Sequence, residues 1–239
     1  MTVPEARRVP ELARFELRRK KLSFARQALS MVVPASIGEI VERKPLVDPD
    51  RQPYWAEIWP ASVGLARVLM RGPDLTGKRV LDVGCGLGLC GVAAGVRGAH
   101  VTFADREPEA LAFARFNAEH NGANSIDTLV LDWTQRLPEG PFDLMLLADV
   151  TYSESNHLSL LRLIDYALAA GGAALAADPF RAGGDVFAVT AAQRFACSEV
   201  TTDCFYDDAR LAVRVVVIAK DEPTCAAMGA FLAIEGKRA

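Results

Sequence analysis

No stretch of the sequence approaches the roughly 20 apolar residues that a membrane-spanning helix requires, and nothing in it reads as a secretory leader. A protein without a membrane segment, resident in the cytoplasm, is therefore the expectation. The five cysteines (Cys85, Cys90, Cys197, Cys204 and Cys225) are odd in number and show no C-x-x-C spacing. They do not combine with the three histidines in any zinc-like pattern, so reduced thiols and no metal centre are expected. Strong net charge is missing too: the formal value is −3, which gives no general reason to expect nucleic-acid binding. Repeats and low-complexity tracts are absent. What remains is an ordinary globular composition, 51% hydrophobic and 24% charged, in a chain long enough for one ample α/β domain.

Charge is unevenly placed. Residues 1–30 hold eight Arg and Lys against three Glu, a balance of +5 that leaves −8 for the remainder. A mitochondrial address is Arg-rich but poor in acids and rich in Ser, and the three Glu and the Lys pair argue against one. A solvated helix face fits this segment better, with a patch for an acidic partner as the second reading.

In 10–29 the apolar positions Leu12, Phe15, Leu22, Ala25 and Leu29 recur at roughly helical spacing, which predicts a helix and makes residues 1–50 a helical extension. The Pro- and Asp-rich stretch 44–53 reads as a loop. A short helix follows from Ala61, stopped by Gly72-Pro73. From residue 78 strand and helix signals alternate: strands at 78–84, 100–105, 125–133, 142–149 and 171–179, helices at 89–98, 108–122 and 156–171. Two further β-rich runs, SEVTTDCFY and RLAVRVVVIAK, are separated by DDA and predict an antiparallel hairpin. The expected fold of residues 51–239 is α/β: a Rossmann-like three-layer sandwich with a mostly parallel seven-stranded sheet and a C-terminal antiparallel hairpin. The tail from Asp221 carries no clear signal.

The chemistry concentrates at strand ends. VLDVGCGLGLCGVAA (80–94) is a strand, a glycine-rich turn and a helix start, with Gly84, Gly86 and Gly88 in G-x-G-x-G. Absent side chains let such a backbone turn tightly and approach a ligand. Leu89 stands where a dinucleotide fingerprint needs its last Gly, and Asp82 is not demanded by that fingerprint. Asp105 ends the next strand, 21 residues beyond Gly84, where an acid can accept both ribose hydroxyls of a nucleoside. Asp132 ends the third strand, where a carboxylate can accept from an exocyclic amine. Each acid alone could serve a turn or a cap. Three on one edge of one sheet point to a nucleoside site.

On these motifs, together with PYWAEIWPAS (53–62), LDW (131–133) and DVTY (149–152), the chain resembles the class I, seven-strand, S-adenosylmethionine-dependent methyltransferases over about residues 58–220. More narrowly it is similar to the lysine methyltransferase-like branch that includes the electron-transfer-flavoprotein β-subunit lysine methyltransferase. The resemblance implies S-adenosylmethionine as cofactor and S-adenosylhomocysteine as product. It implies cofactor contacts at Trp59, Asp82, Gly84, Cys85, Gly86, Gly88, Asp105, Arg106, Asp132, Trp133 and Asp149, with Asp149 and Tyr152 at the transfer step. Trp55 would support Trp59 by packing. The implied activity is N-methylation of lysine side chains in a protein substrate. A small-molecule amine or heteroaromatic N-methyltransferase and a non-catalytic cofactor- or partner-binding module are the alternatives. His100 and His120 read as structural, His157 as able to reach substrate, and Glu57 as either a cofactor contact or a cap for the helix after it.

Overall fold

The computed structural model describes residues 3–24, 27–43, 52–72 and 74–236. Its centre is a seven-stranded sheet built from β3 (Arg79–Val83), β4 (His100–Asp105), β5 (Ile126–Val130), β6 (Phe142–Ala148), β7 (Leu168–Asp178), β8 (Ala196–Tyr206) and β9 (Ala209–Ala219). The order is β5-β4-β3-β6-β7-β9-β8. β3 to β7 run parallel, and β9 pairs antiparallel with both β7 and β8.

The apolar strand runs are long because both faces are covered. Alternate residues feed two cores. Val80, Val101 and Leu146 join α4 (Pro60–Arg71), α5 (Leu89–Val96), α6 (Pro108–His120) and α9 (Glu222–Gly236) on one face. Leu81, Met145 and Ile218 join α7 (His157–Ala167) and α8 (Ala182–Ala192) on the other. The three-layer α/β expectation is met. The β8–β9 turn runs through Asp207 and Asp208 at φ 46° and 62°, the left-handed pair that a two-residue hairpin favours. Around the sheet, α8, rich in Ala and Gly, and α9 in the tail lay beyond the sequence signals.

One expectation is overturned. Residues 10–29 do not form a helix. After α1 (Val3–Ala6) and α2 (Pro10–Ala13), β1 (Leu17–Phe24) and β2 (Gln27–Pro34) form an antiparallel ladder, followed by α3 (Ile37–Arg43). The reason lies about 85–91 residues downstream. Asn117 on α6 and Asn121, the C-cap one turn further on, bind the edge of β2 as another strand would. Asn117 accepts from Val32 N at 2.7 Å and donates to Val32 O at 3.1 Å, while Asn121 does the same for Ser30 at 2.8 and 3.0 Å. Tertiary bonding of this kind outweighs the helix propensity of Arg and Lys. Leu12, Leu17, Leu29 and Met31 thereby enter the same core as α4 to α6. The 44–53 loop lies outside the described residues up to Arg51.

Asn117 is fully buried and also donates to Leu87 O at 3.0 Å, so one side chain ties the hairpin to the glycine turn. Asn117→Ala strands buried donors and acceptors and should lower the unfolding free energy by about 2–4 kcal/mol. Urea titration checks this, and a loss under about 0.5 kcal/mol would show that the hairpin edge is held by something else.

Candidate active site

The C-terminal ends of β3, β4, β5 and β6 open into one cleft of about 350 Å³, the size of a small-ligand pocket. Residues 52–62 form its near wall. Among the expected site residues, Trp59, Asp82, Gly84, Cys85, Gly86, Asp105, Arg106, Asp132, Trp133, Asp149 and Tyr152 line it. Gly88 does not. It starts α5 at φ 84°, and its backbone lies against Ala114 of α6, where a Cβ would sit 2.8 Å from Ala114 Cα. There it serves the packing of α5 on α6, flanked by Leu87 and Leu89, which do line the cleft.

The glycine turn is shaped by close approach. Gly84 and Gly86 have φ of 63° and 50°. A Cβ on Gly84 would meet Val150 Cγ1 at 2.7 Å, and one on Gly86 would meet the Trp55 carbonyl at 3.0 Å. The segment with two tryptophans is thus laid directly on the turn. Trp55 packs edge-on to Phe15 and against Phe113. Trp59 donates its indole N–H to Tyr54 O at 2.8 Å and stands edge-to-face with Tyr54. Tyr54 in turn meets Tyr152 at 6.0 Å, giving an exposed aromatic rim.

The acids divide their work. Asp82, 2% exposed, accepts from Gly91 N at 2.8 Å and anchors the start of α5. Burial pushes its pKa up to about 7, against the Gly91 bond and with the charge of Asp105 adding to the rise. Asp105 Oδ2 accepts from Gly86 N at 2.9 Å and Oδ1 from Glu107 N at 3.0 Å. Burial raises its pKa as well. Each oxygen keeps a second acceptor direction. Asp132 arrives with both oxygens engaged: Oδ1 takes Thr134 N and Oγ1 at 2.9 and 2.6 Å, and Oδ2 takes Gln135 Nε2 at 2.8 Å. The Thr134 hydroxyl, before the other contacts, draws its pKa down. Burial holds the Cys85 thiol well above its usual range, which makes it inert lining.

A raised Asp82 has a consequence for stability. The folded chain holds this proton up to about pH 7, whereas the unfolded chain releases it near pH 3.9. The folded state binds more protons between those values, so this contribution is present at low pH and is lost as pH rises toward 7. Asp82→Asn should flatten that part of the profile in urea titrations run from pH 4.5 to 7.5. An unchanged slope would assign the pH dependence elsewhere.

Asp149 follows β6 in the left-handed region, φ 56°, a conformation that concentrates at functional sites. Its side chain is only 6% exposed and is held by Arg181, Nε to Oδ1 at 2.9 Å and Nη2 to Oδ2 at 3.5 Å. Burial raises its pKa, and the Arg181 bond and charge oppose the rise. Sequence reasoning missed Arg181, which precedes α8 and lies 32 positions from Asp149. It also passed over Glu107 and Ala148, which line the cleft and follow from the rule that ligands sit at strand C-termini.

His157 is corrected: it is buried between α7 and α8, donating Nε2–H to Thr151 O at 2.8 Å and packing edge-on to Phe187. His100 bonds Ser125 and Asp127, and His120 stacks on Phe116. Glu57 is not the cap of α4, whose N-cap Trp59 has no side-chain cap bond. It lines the cleft and pairs with Arg18 and Lys20 of β1 at 3.7 and 3.9 Å. Among the described residues no His, Cys, Asp and Glu cluster could hold a metal ion, and no helix is long and apolar enough to cross a membrane.

A parallel sheet with an antiparallel last pair, a glycine turn after its first parallel strand and an acid after the second define the class I methyltransferase architecture. Solved structures agree on the fold. The N-methyltransferase NodS from Bradyrhizobium japonicum, in complex with S-adenosyl-L-homocysteine, superposes with a TM-score of 0.52 at 17% identity, over 76% of this chain and 98% of that one. A TehB-like methyltransferase from Corynebacterium glutamicum gives 0.51 at 20% identity, over 77% and 98%. The sequence pattern of the lysine methyltransferase family matches residues 51–181. Protein N-lysine methyltransferase METTL21A of Danio rerio is 36% identical over 62% of this chain and 72% of its own length. The electron transfer flavoprotein beta subunit lysine methyltransferase of Xenopus laevis is 38% identical over 46% of this chain and 45% of its own length. The chain belongs to the lysine methyltransferase family, and it is an S-adenosylmethionine-dependent methyltransferase.

Proposed function

We propose that the protein methylates lysine side chains of a protein substrate, with the donor in the cleft and the acceptor entering beside Asp149 and Tyr152. The observation that carries this is the buried Asp149 carboxylate at the cleft, next to an exposed aromatic rim of Tyr54 and Tyr152. An acid in such a place suits an amine, and aromatic faces suit a cationic side chain on its way in.

The residues fit the donor. Gly84 and Gly86 present bare backbone to the cleft, in a turn packed so closely on Val150 and the Trp55 carbonyl that no side chain fits, and Asp105 retains acceptor capacity for ribose hydroxyls. Trp59 and Trp133 supply flat walls, Trp133 lying 3.4 Å from a Cβ position on Gly84. When bound, S-adenosylmethionine supplies a methyl group already activated by its sulfonium. The protein contributes alignment and exclusion of water.

The basic β1 strand supports a substrate that is acidic around its lysine. Arg18 and Lys20 reach Glu57 on the cleft wall, while Arg19 and Lys21, alternating with them along the strand, are exposed on its other face. Five free cysteines fit a reducing compartment such as the cytoplasm.

Tritiated donor incubated with the protein and a whole-cell lysate tests the reading. Label should appear in a protein band, on lysine by mass spectrometry. Label confined to the low-mass fraction would assign a small-molecule acceptor. Tight donor binding without transfer to any fraction would make the protein a binding module.

A further inference from the structure

Resting on the protein-lysine reading, a difficulty in the pocket remains. A carboxylate beside a lysine favours the ammonium form, which has no lone pair for attack. The groups around Asp149 bear on this. Asp178 at the end of β7 faces it, but Asp178 is held by the buried Arg214 of β9 at 3.0 and 3.1 Å. Tyr206 of β8 lies within the field of Asp149, along with Glu57 and Arg18. Glu57 is itself paired with Arg18 and Lys20. Tyr152 lines the same cleft. Among the described residues the cation in direct contact with the Asp149 carboxylate is Arg181.

Arg181 is placed by construction. Its backbone N–H donates to Asp178 Oδ1 at 2.9 Å, and the preceding Phe180 takes the left-handed conformation at φ 60°. The Arg214 guanidinium lies over the Phe180 ring. The Arg181 guanidinium lies 5.9 Å from the centroid of the Trp59 ring. It therefore bridges the near wall of the cleft and the acid at the acceptor side.

We propose that Arg181 is a positioning residue for methyl transfer: it fixes the Asp149 carboxylate and offsets its charge, so that the acid orients a neutral lysine amine instead of retaining an ammonium. A neutral amine can donate an N–H to Asp149 and keep its lone pair for the methyl carbon. The lysine gives its proton to solvent on entry. Its nitrogen pair then forms the C–N bond as the C–S bond breaks, and the electrons of that bond stay on sulfur. Arg181 touches neither reacting atom and acts through Asp149.

The test is a pH profile. Initial rates of tritium transfer from saturating donor to the protein fraction of a lysate are measured from pH 7 to 10 for wild type, Arg181→Gln and Arg181→Lys. Calorimetry of donor binding on the same preparations reports the state of the cofactor half. Arg181→Gln should lose about tenfold at pH 7.5 and recover at alkaline pH, its profile displaced upward by about one unit. Arg181→Lys should restore most of that displacement. A loss uniform across pH, or an unmoved profile, overturns the proposal. Loss of donor binding in both variants also overturns it and assigns Arg181 to the cofactor site. A wild type that labels no protein refutes the lysine reading, and this proposal falls with it.

Discussion

Asp149→Asn should lower single-turnover methyl transfer by roughly 100-fold or more and leave donor affinity almost untouched, because misplacing a reacting group by about 1 Å costs that much. The substitution keeps shape and removes charge. Asp149 is buried and its two oxygens meet Arg181 at 2.9 and 3.5 Å. An amide offers one acceptor oxygen where the carboxylate has two, and Arg181 loses its counter-ion. The acceptor amine is then held loosely or in a different direction. On the proposed reading the donor is held elsewhere, by the turn after β3, by Asp105 at the end of β4 and by the wall at Trp133. Tyr152→Phe should be milder if the ring alone forms the channel wall, and as severe if its hydroxyl holds the amine or a water. Equilibrium binding and single-turnover transfer on the same preparations separate these cases. Near-normal transfer with lost donor binding would move Asp149 to the cofactor site and end the amine-orienting assignment.

Asp105→Ala should weaken donor binding by at least about 100-fold. Each charge-assisted bond to a ribose hydroxyl is worth about 1.5–3 kcal/mol, and two are lost. The structure adds a second reason. The same carboxylate accepts from Gly86 N and Glu107 N at 2.9 and 3.0 Å, so its loss also frees the glycine turn that lines the cleft. Asp105→Asn keeps volume but brings an NH2 group against one of those two backbone donors, so it should not rescue. Calorimetry on variants with native circular dichroism decides the matter. Unchanged affinity in folded Asp105→Ala would overturn the ribose assignment.

The cleft was legible because its parts are local. Apolar runs ending in Gly84, Asp105 and Asp132 mark strand ends, and parallel strands deliver their C-termini to one edge. Trp133 follows Asp132 directly, whereas Trp59 came from the family resemblance of the 53–62 segment. Where the same logic was carried further it failed for stated reasons. Gly88 belongs to the glycine run in sequence, yet its backbone faces Ala114 of α6 at the start of α5, while its neighbours Leu87, Leu89 and Cys90 line the cleft. His157 follows Tyr152 closely, but the start of α7 turns its ring under α8.

From its sequence alone this chain determines a mostly parallel seven-stranded sheet with Gly84, Asp105, Asp132 and Asp149 at or just after the ends of successive strands. Those features depend on the spacing of neighbouring residues, which the backbone converts directly into face and direction. The tertiary structure alone decided that Leu17–Phe24 and Gln27–Pro34 are paired strands, since the asparagines that bind the edge of β2 lie on α6 and at its C-cap. It alone brought Arg181 to Asp149, across the length of α7 and β7. Hydrogen bonds and ion pairs between distant segments leave no periodic trace in the sequence, because nothing local distinguishes a paired Asn or Arg from a solvated one.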